Sequence, residues 1–332
     1  METPDAVSEN TAAFIYPIGK VLQLNASPNN TANKLQTSLQ VKVKQRKQPW
    51  TLSCGMVVEI EENSDGSEPI EGLRKSDEAF LKIFDRRFAE QHRQDNGVDT
   101  WSEDVENEFL ASLRSGKTES FLDKLHTVPR FQRDTEDDWD TAENEAYLAD
   151  ELRKCFNSEI AIYSCLQQHQ GKIIPRFLAG ITLGVPPPDA ALTTQQQELY
   201  QLKGILLQYL SGFSLSSMVQ NAPRSSWQDI VDQAIRIVHV LGDNNILNAD
   251  VRPDNFVVVP KDQAYRVFMI DFGQCRLRRK DESDAEWGRA KWTQDEEGAV
   301  GAVMRSRMRK VGFELQFEPS WRYLAWAPGE DD

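Results

Sequence analysis

The segment that most constrains this chain runs from Asn248 to Gly273. Two short apolar runs, Phe256 to Val259 and Val267 to Ile270, flank Pro260 to Ala264. Apolar runs separated by so short a turn-forming stretch predict a β-hairpin. In an antiparallel hairpin the first residue of one strand faces the end of the other, so Asn255 and Asp271 are expected side by side at the open end. An amide oxygen and a carboxylate there are hard oxygen donors of the kind Mg²⁺ accepts beside phosphate. Asp250 lies five residues before that end, in a loop, where a carboxylate can take a proton from an attacking hydroxyl. The competing reading is an ordinary hairpin whose Asp and Asn cap its turns.

The rest of the chain bounds what this hairpin can belong to. It carries 38 basic against 52 acidic residues, a net charge of −14, so a general nucleic-acid or anionic-membrane surface is not expected. No run of 18 apolar residues predicts a membrane span. Met1 to Lys20 lacks the basic-then-apolar order of a leader, so an intracellular location, cytoplasmic or nuclear, is expected. Cys54, Cys155, Cys165 and Cys275 have no metal-ligand spacing and read as reduced thiols. His92, His126, His169 and His239 form no metal pattern, and His239 reads as a packed helix residue.

Along the chain, residues 1–35 read as a loosely held arm with apolar islands at Phe14 to Ile18 and Val21 to Leu24. Strand-like alternation follows at Leu39, Val41 and Val43 and at Met56 to Ile60. A polar connection, Glu61 to Glu78, has Asp65-Gly66 as its turn signal. Ala79 to Phe84 is then an apolar strand interrupted by Lys82. Residues 93–145 read as a partly disordered surface insertion with helices at Trp101 to Leu113 and Glu119 to Leu125, its acidic run Asp134 to Asp140 a solvated loop. Helical spacing covers Glu143 to Gln168, with Leu148, Leu152, Cys155, Phe156 and Tyr163 on one stripe. Phe177 to Leu183 and Gly204 to Leu210 are short apolar runs around the loop Pro186 to Pro188, and a further helix starts at Trp227.

Asp250-Val251-Arg252-Pro253-Asp254-Asn255, a hairpin, and then Asp271-Phe272-Gly273 resemble the catalytic core of the eukaryotic protein-kinase-like superfamily. The Asp250 to Phe256, Ile270 to Gln274 and Leu81 to Phe88 segments look most like the divergent kinase-like proteins of filamentous fungi. The resemblance implies an α+β, two-lobed protein-kinase-like fold over about residues 36–310. Its N-lobe (36–210) would be enlarged by the 93–145 insertion, and its helical C-lobe (211–332) truncated. It also implies an ATP- and Mg²⁺-dependent phosphotransferase. Lys82 would hold phosphates, paired to Glu159. Leu207 would be the gatekeeper, with Gln208, Tyr209 and Leu210 meeting adenine. Asn255 and Asp271 would bind Mg²⁺, Asp250 would orient the acceptor hydroxyl, and Arg252 would neutralise the moving phosphoryl group. Taken alone, Lys82 reads sooner as an edge-strand charge and Glu159 as a solvated helix residue; the downstream motif reverses both readings.

Three departures qualify what the resemblance implies. No Gly-rich loop joins the first two strands; the basic stretch Lys44 to Lys47 stands there, able to meet phosphate by charge. Asn248-Ala249 replaces the His-Arg that usually precedes the catalytic aspartate. Only Gln274 to Asp332 follows the hairpin, leaving little platform for a peptide. Within it Asp295 reads as the acid that anchors the loop, Arg276 to Lys280 as a solvated stretch that could instead attract an acidic or phosphorylated substrate, and Trp287, Trp292, Trp321 and Trp326 as closing the short lobe. The acceptor expected is an unidentified hydroxyl-bearing partner, a protein Ser/Thr side chain ahead of a small metabolite. A pseudokinase or nucleotide-binding interaction module is the alternative of a different class.

Overall fold

The computed structural model describes residues 15–28, 37–61, 70, 73–184 and 192–327. The Asp65-Gly66 turn, the Pro186 to Pro188 loop and Phe14 lie outside the described residues. The chain divides into two compact units, 1–156 with 177–209, and 157–176 with 210–332.

In the first unit, strands β1 (Val21–Pro28), β2 (Thr37–Lys47), β3 (Cys54–Ile60), β4 (Glu78–Phe84), β5 (Phe177–Leu183) and β6 (Leu202–Gln208) form a closed barrel in the order β1-β2-β3-β4-β6-β5. All neighbours are antiparallel. This overturns the expected two-lobed protein-kinase-like fold with its small N-lobe sheet. The reason lies in the segment read as a loose arm. Leu22, Leu24 and Ala26 alternate with polar residues, and that inward row is buried. Leu24 stands opposite both Leu39 on β2 and Leu183 on β5, so β1 closes the sheet and leaves it without a free edge. The core inside includes Leu39, Val41, Val43, Met56, Val58, Leu81, Ile83 and Leu206.

The stretch 93–145 is packed rather than partly disordered. Helices α1 (Glu103–Ser115) and α2 (Lys117–Thr127) and the start of α3 (Thr141–Cys165) pack around Phe109, Leu113, Phe121, Leu122 and Tyr147. Ser102 caps α1 by accepting from the Val105 N–H. Below them Arg86 pairs with Glu106 (2.7 Å) and Glu145 (2.6 Å), and Arg93 pairs with Glu145 (2.7 Å). Glu145 is fully buried, so its two guanidinium partners are what make its charge tolerable there. The acidic run Asp134 to Asp140 begins in the last residues of a helical stretch, Phe131–Thr135, and continues through a 3₁₀ turn, Glu136–Asp138, whose acids are exposed.

In the second unit, β7 (Phe213–Ser214), β9 (Phe256–Lys261) and β10 (Ala264–Met269) form a three-stranded sheet, and β8 (Ile246–Asn248) pairs with β11 (Cys275–Leu277). Helix α4 (Trp227–Asp243) lies on β10. Its Gln233 donates to the Tyr265 carbonyl (3.0 Å) and accepts from the Val267 N–H (3.1 Å), satisfying the edge that β10 would otherwise leave open. Helices α5 (Asp284–Gln294) and α6 (Glu296–Arg309) follow. The C-terminal stretch then crosses the three helices and seats two aromatics in glycine notches. A Cβ on Gly288 would overlap the Trp326 ring, and one on Gly301 would overlap Phe317. Trp287 is buried, whereas Trp321 is 59% exposed, so that ring does not close the unit as expected.

A candidate active site on the hairpin loop

The hairpin positions the candidate residues. Met269 stands opposite Phe256, and the Ile270 N–H donates to the Asn255 carbonyl at 2.8 Å. Asn255 therefore faces Ile270, and Asp271 follows one residue beyond it. The chain then turns sharply. Asp271 adopts φ 66°, a left-handed conformation that is costly for a residue other than glycine. Its carboxylate accepts from the Gly273 N–H (3.3 Å), and Cys275 returns against Asn248 across β8 and β11. Phe272 is fully buried and meets Tyr163 of α3 edge-on at 5.3 Å. Burial holds the Tyr163 phenol well above its ordinary range, and the negative charges of Glu159 and Asp271 push the same way.

Between β8 and β9 the loop is knitted to itself. Asn248 Oδ1 accepts from the Asp250 N–H (2.8 Å). Asn255 Nδ2 donates both to the Asp250 carbonyl (2.8 Å) and to its carboxylate (3.0 Å). Arg252 Nη2 lies 3.3 Å from the same carboxylate, and its Nε donates weakly to Asn255 Oδ1 (3.4 Å). Asp250, Arg252 and Asn255 are thus one cluster. The amide nitrogen of Asn255 is committed to Asp250, which leaves its oxygen as the hard donor. Among the described residues no group of three or more His, Cys, Asp or Glu side chains is placed to hold a metal ion. The donor set fits Mg²⁺ only in the manner of one carboxylate and one amide oxygen completed by phosphate and water.

The remaining candidates are spread over both units. Glu159 is a fully buried α3 residue of the second unit, not a solvated one. In the first unit, Lys82 is 7% exposed on β4, opposite Gly55 and Ile205, with its ammonium 5.4 Å from the Phe84 ring. Leu207 is buried on β6, opposite Phe80 and Phe177, and Gln208 ends that strand. Tyr209 closes the first unit's share of the chain, and Leu210 opens the second's.

Four expectations are corrected. Lys44 to Lys47 belong to β2 rather than a loop, and Lys44 is paired with Glu59 (2.7 Å). The basic stretch begins within β11, and two of its arginines are paired with acids that follow: Arg276 forks onto Glu282 with two 2.8 Å bonds, and Arg278 bonds Asp284. The acid that anchors the loop is Glu296, not Asp295. Glu296 accepts from the Asn248 N–H (2.8 Å) and pairs with Lys291, which also donates to the Ile246 carbonyl (3.0 Å). Asp295, at φ 42°, caps α6 by accepting from the Gly298 N–H (3.0 Å). Burial outweighs the attraction within the Lys291–Glu296 pair, holding the lysine below and the glutamate above their ordinary ranges. His239, expected to be packed, is part-exposed and 3.2 Å from Glu297. The four cysteines are free thiols, and among the described residues no helix is long and apolar enough to cross a membrane.

No protein-family model matches the chain, and no curated protein matches it in sequence.

Proposed function

We propose that the loop from Asn248 to Asn255, with Asp271, transfers the γ-phosphoryl group of ATP to a hydroxyl acceptor. The observation that carries this reading is the Asp250–Arg252–Asn255 cluster beside the Asp271 turn. Asp250 accepts the acceptor's proton as the new oxygen–phosphorus bond forms and the bond to the β-phosphate oxygen breaks, the electron pair leaving with ADP. Arg252, half exposed, is free to turn its guanidinium from Asp250 to the phosphoryl oxygens, where it can bind bidentately. Asn255 Oδ1 and the Asp271 carboxylate would hold Mg²⁺, which when bound neutralises phosphate charge. The left-handed backbone at Asp271 is strain of the sort kept at functional turns. The acceptor class proposed is a protein Ser/Thr hydroxyl.

The test supplies Mg²⁺ and ATP with mixed Ser/Thr peptides and, separately, a set of small alcohols. Asp250→Asn keeps an acceptor for Asn255 but removes the base, so transfer should fall by about 10²–10⁴-fold with ATP affinity kept. Transfer only to small alcohols would correct the acceptor class. ATP binding without transfer to either set would leave a nucleotide-binding module, and no ATP binding at all would end the reading.

A further inference from the structure

The second unit contains a cavity of about 320 Å³ among α4, the α5–α6 junction and the C-terminal stretch. Sites for small ligands begin at about this size. None of Asp250, Arg252, Asn255 or Asp271 lines it. Its wall combines three aromatic rings, Trp292, Trp321 and Tyr323, with three carboxylates, Asp295, Glu296 and Glu297. The two permanent cations of the lining are spent: Lys291 is paired with Glu296, and Arg322 with Asp243 (2.6 Å), which lies outside the lining. With three acids against two such cations, the lining carries one net negative charge. Asp295 is exposed and commits Oδ1 to the Gly298 N–H.

The protein's own cations already lie against rings here. The Lys291 ammonium is 5.7 Å and the Arg322 guanidinium 5.6 Å from the Tyr323 ring. Trp321 supplies a separate observation. It holds φ 54°, a conformation costly for a bulky residue, and yet leaves its indole 59% exposed, so burial of the ring does not repay the strain. Its neighbours fix it there: Ser320 donates to Glu297 through its Oγ (2.6 Å), and Arg322 is tied to Asp243.

We propose that this cavity binds an organic ammonium compound, a primary or quaternary amine with an apolar body. The cationic head meets Asp295 and the ring faces, and the body covers the Trp321 indole. An anion would meet the net negative lining, and a purely apolar ligand would leave Asp295 uncompensated.

The test is isothermal titration of the full chain with phenethylamine and benzyltrimethylammonium, and with benzyl alcohol as neutral comparator. Saturable binding of the amines is expected in the millimolar range or tighter, with none for the alcohol. Asp295→Asn keeps the helix cap while removing the charge, and Trp321→Gly removes the ring at a position whose backbone suits glycine. Each should weaken binding by about tenfold without lowering the melting temperature. If Trp321→Gly unfolds the chain, Asp295→Asn decides alone. No saturable amine binding, equal binding of the alcohol, or amine binding unchanged by Asp295→Asn would overturn the proposal.

Discussion

Removing Glu296 tests how the loop is held. Glu296→Ala leaves the Lys291 ammonium, 4% exposed, with the Ile246 carbonyl as its remaining hydrogen-bond acceptor, and leaves the Asn248 N–H without its acceptor. Breaking one partner of a buried ion pair costs about 3–5 kcal/mol, and an orphaned buried donor about 1–3 kcal/mol. Because both effects act at one place they do not add fully, and we expect a total of about 4 kcal/mol. For a unit of this size that is a fall of roughly 10 °C in melting temperature. Lys291→Met combined with Glu296→Gln removes both charges while keeping an acceptor for Asn248. It should cost only about 1 kcal/mol, giving a coupling of about 2–3 kcal/mol in a double-mutant cycle. Urea unfolding of five proteins, wild type, Glu296→Ala, Lys291→Met, Glu296→Gln and the double variant, followed by circular dichroism, reads all of this. A Glu296→Ala protein within about 1 kcal/mol of wild type, or an additive cycle, would show that the Lys291–Glu296 pair does not hold the loop.

Asp271→Gly relieves the left-handed backbone and should stabilise the chain by about 1 kcal/mol in thermal melts while abolishing phosphoryl transfer. Gly288→Ala drives a methyl into the Trp326 ring and should cost about 1–3 kcal/mol in urea unfolding, most of it recovered in the Gly288→Ala/Trp326→Leu double variant. Glu282, held down to about 2 by its hydrogen bonds from Arg276, gives stability that is present above its ordinary value near 4.5 and is lost as pH falls towards 2. Melting temperatures across that window should therefore drop less for Glu282→Gln than for wild type.

What could be read in the sequence was local. Phe256 to Val259 and Val267 to Ile270 alternate or run apolar over a few residues, with a turn between them, so the hairpin needed no distant information. Closure of the barrel did. Leu22, Leu24 and Ala26 are a short, weak alternation, and nothing near them shows that Leu24 must meet Leu183 as well as Leu39. The two helices within 93–145 were legible from their spacing, but their packing was hidden for a related reason. Their surfaces are acidic, and the charges that tie them down, Arg86 and Arg93 with Glu145, look in sequence like solvated residues. Adjacent acids could not be ranked either. Asp295 and Glu296 exchange roles because the left-handed backbone at Asp295 turns one side chain to the helix cap and leaves the next to reach Asn248.

The proposed transfer depends on Asp271 and Asn255 bringing Mg²⁺ to a nucleotide. Titration calorimetry of ATP into the full chain, with Mg²⁺ and with chelator, for wild type and Asp271→Ala, tests it most directly. We predict that Mg²⁺ tightens ATP binding to wild type by at least about tenfold and leaves Asp271→Ala unaffected. Equal Mg²⁺ dependence in the two proteins, or no ATP binding by wild type, would contradict the account.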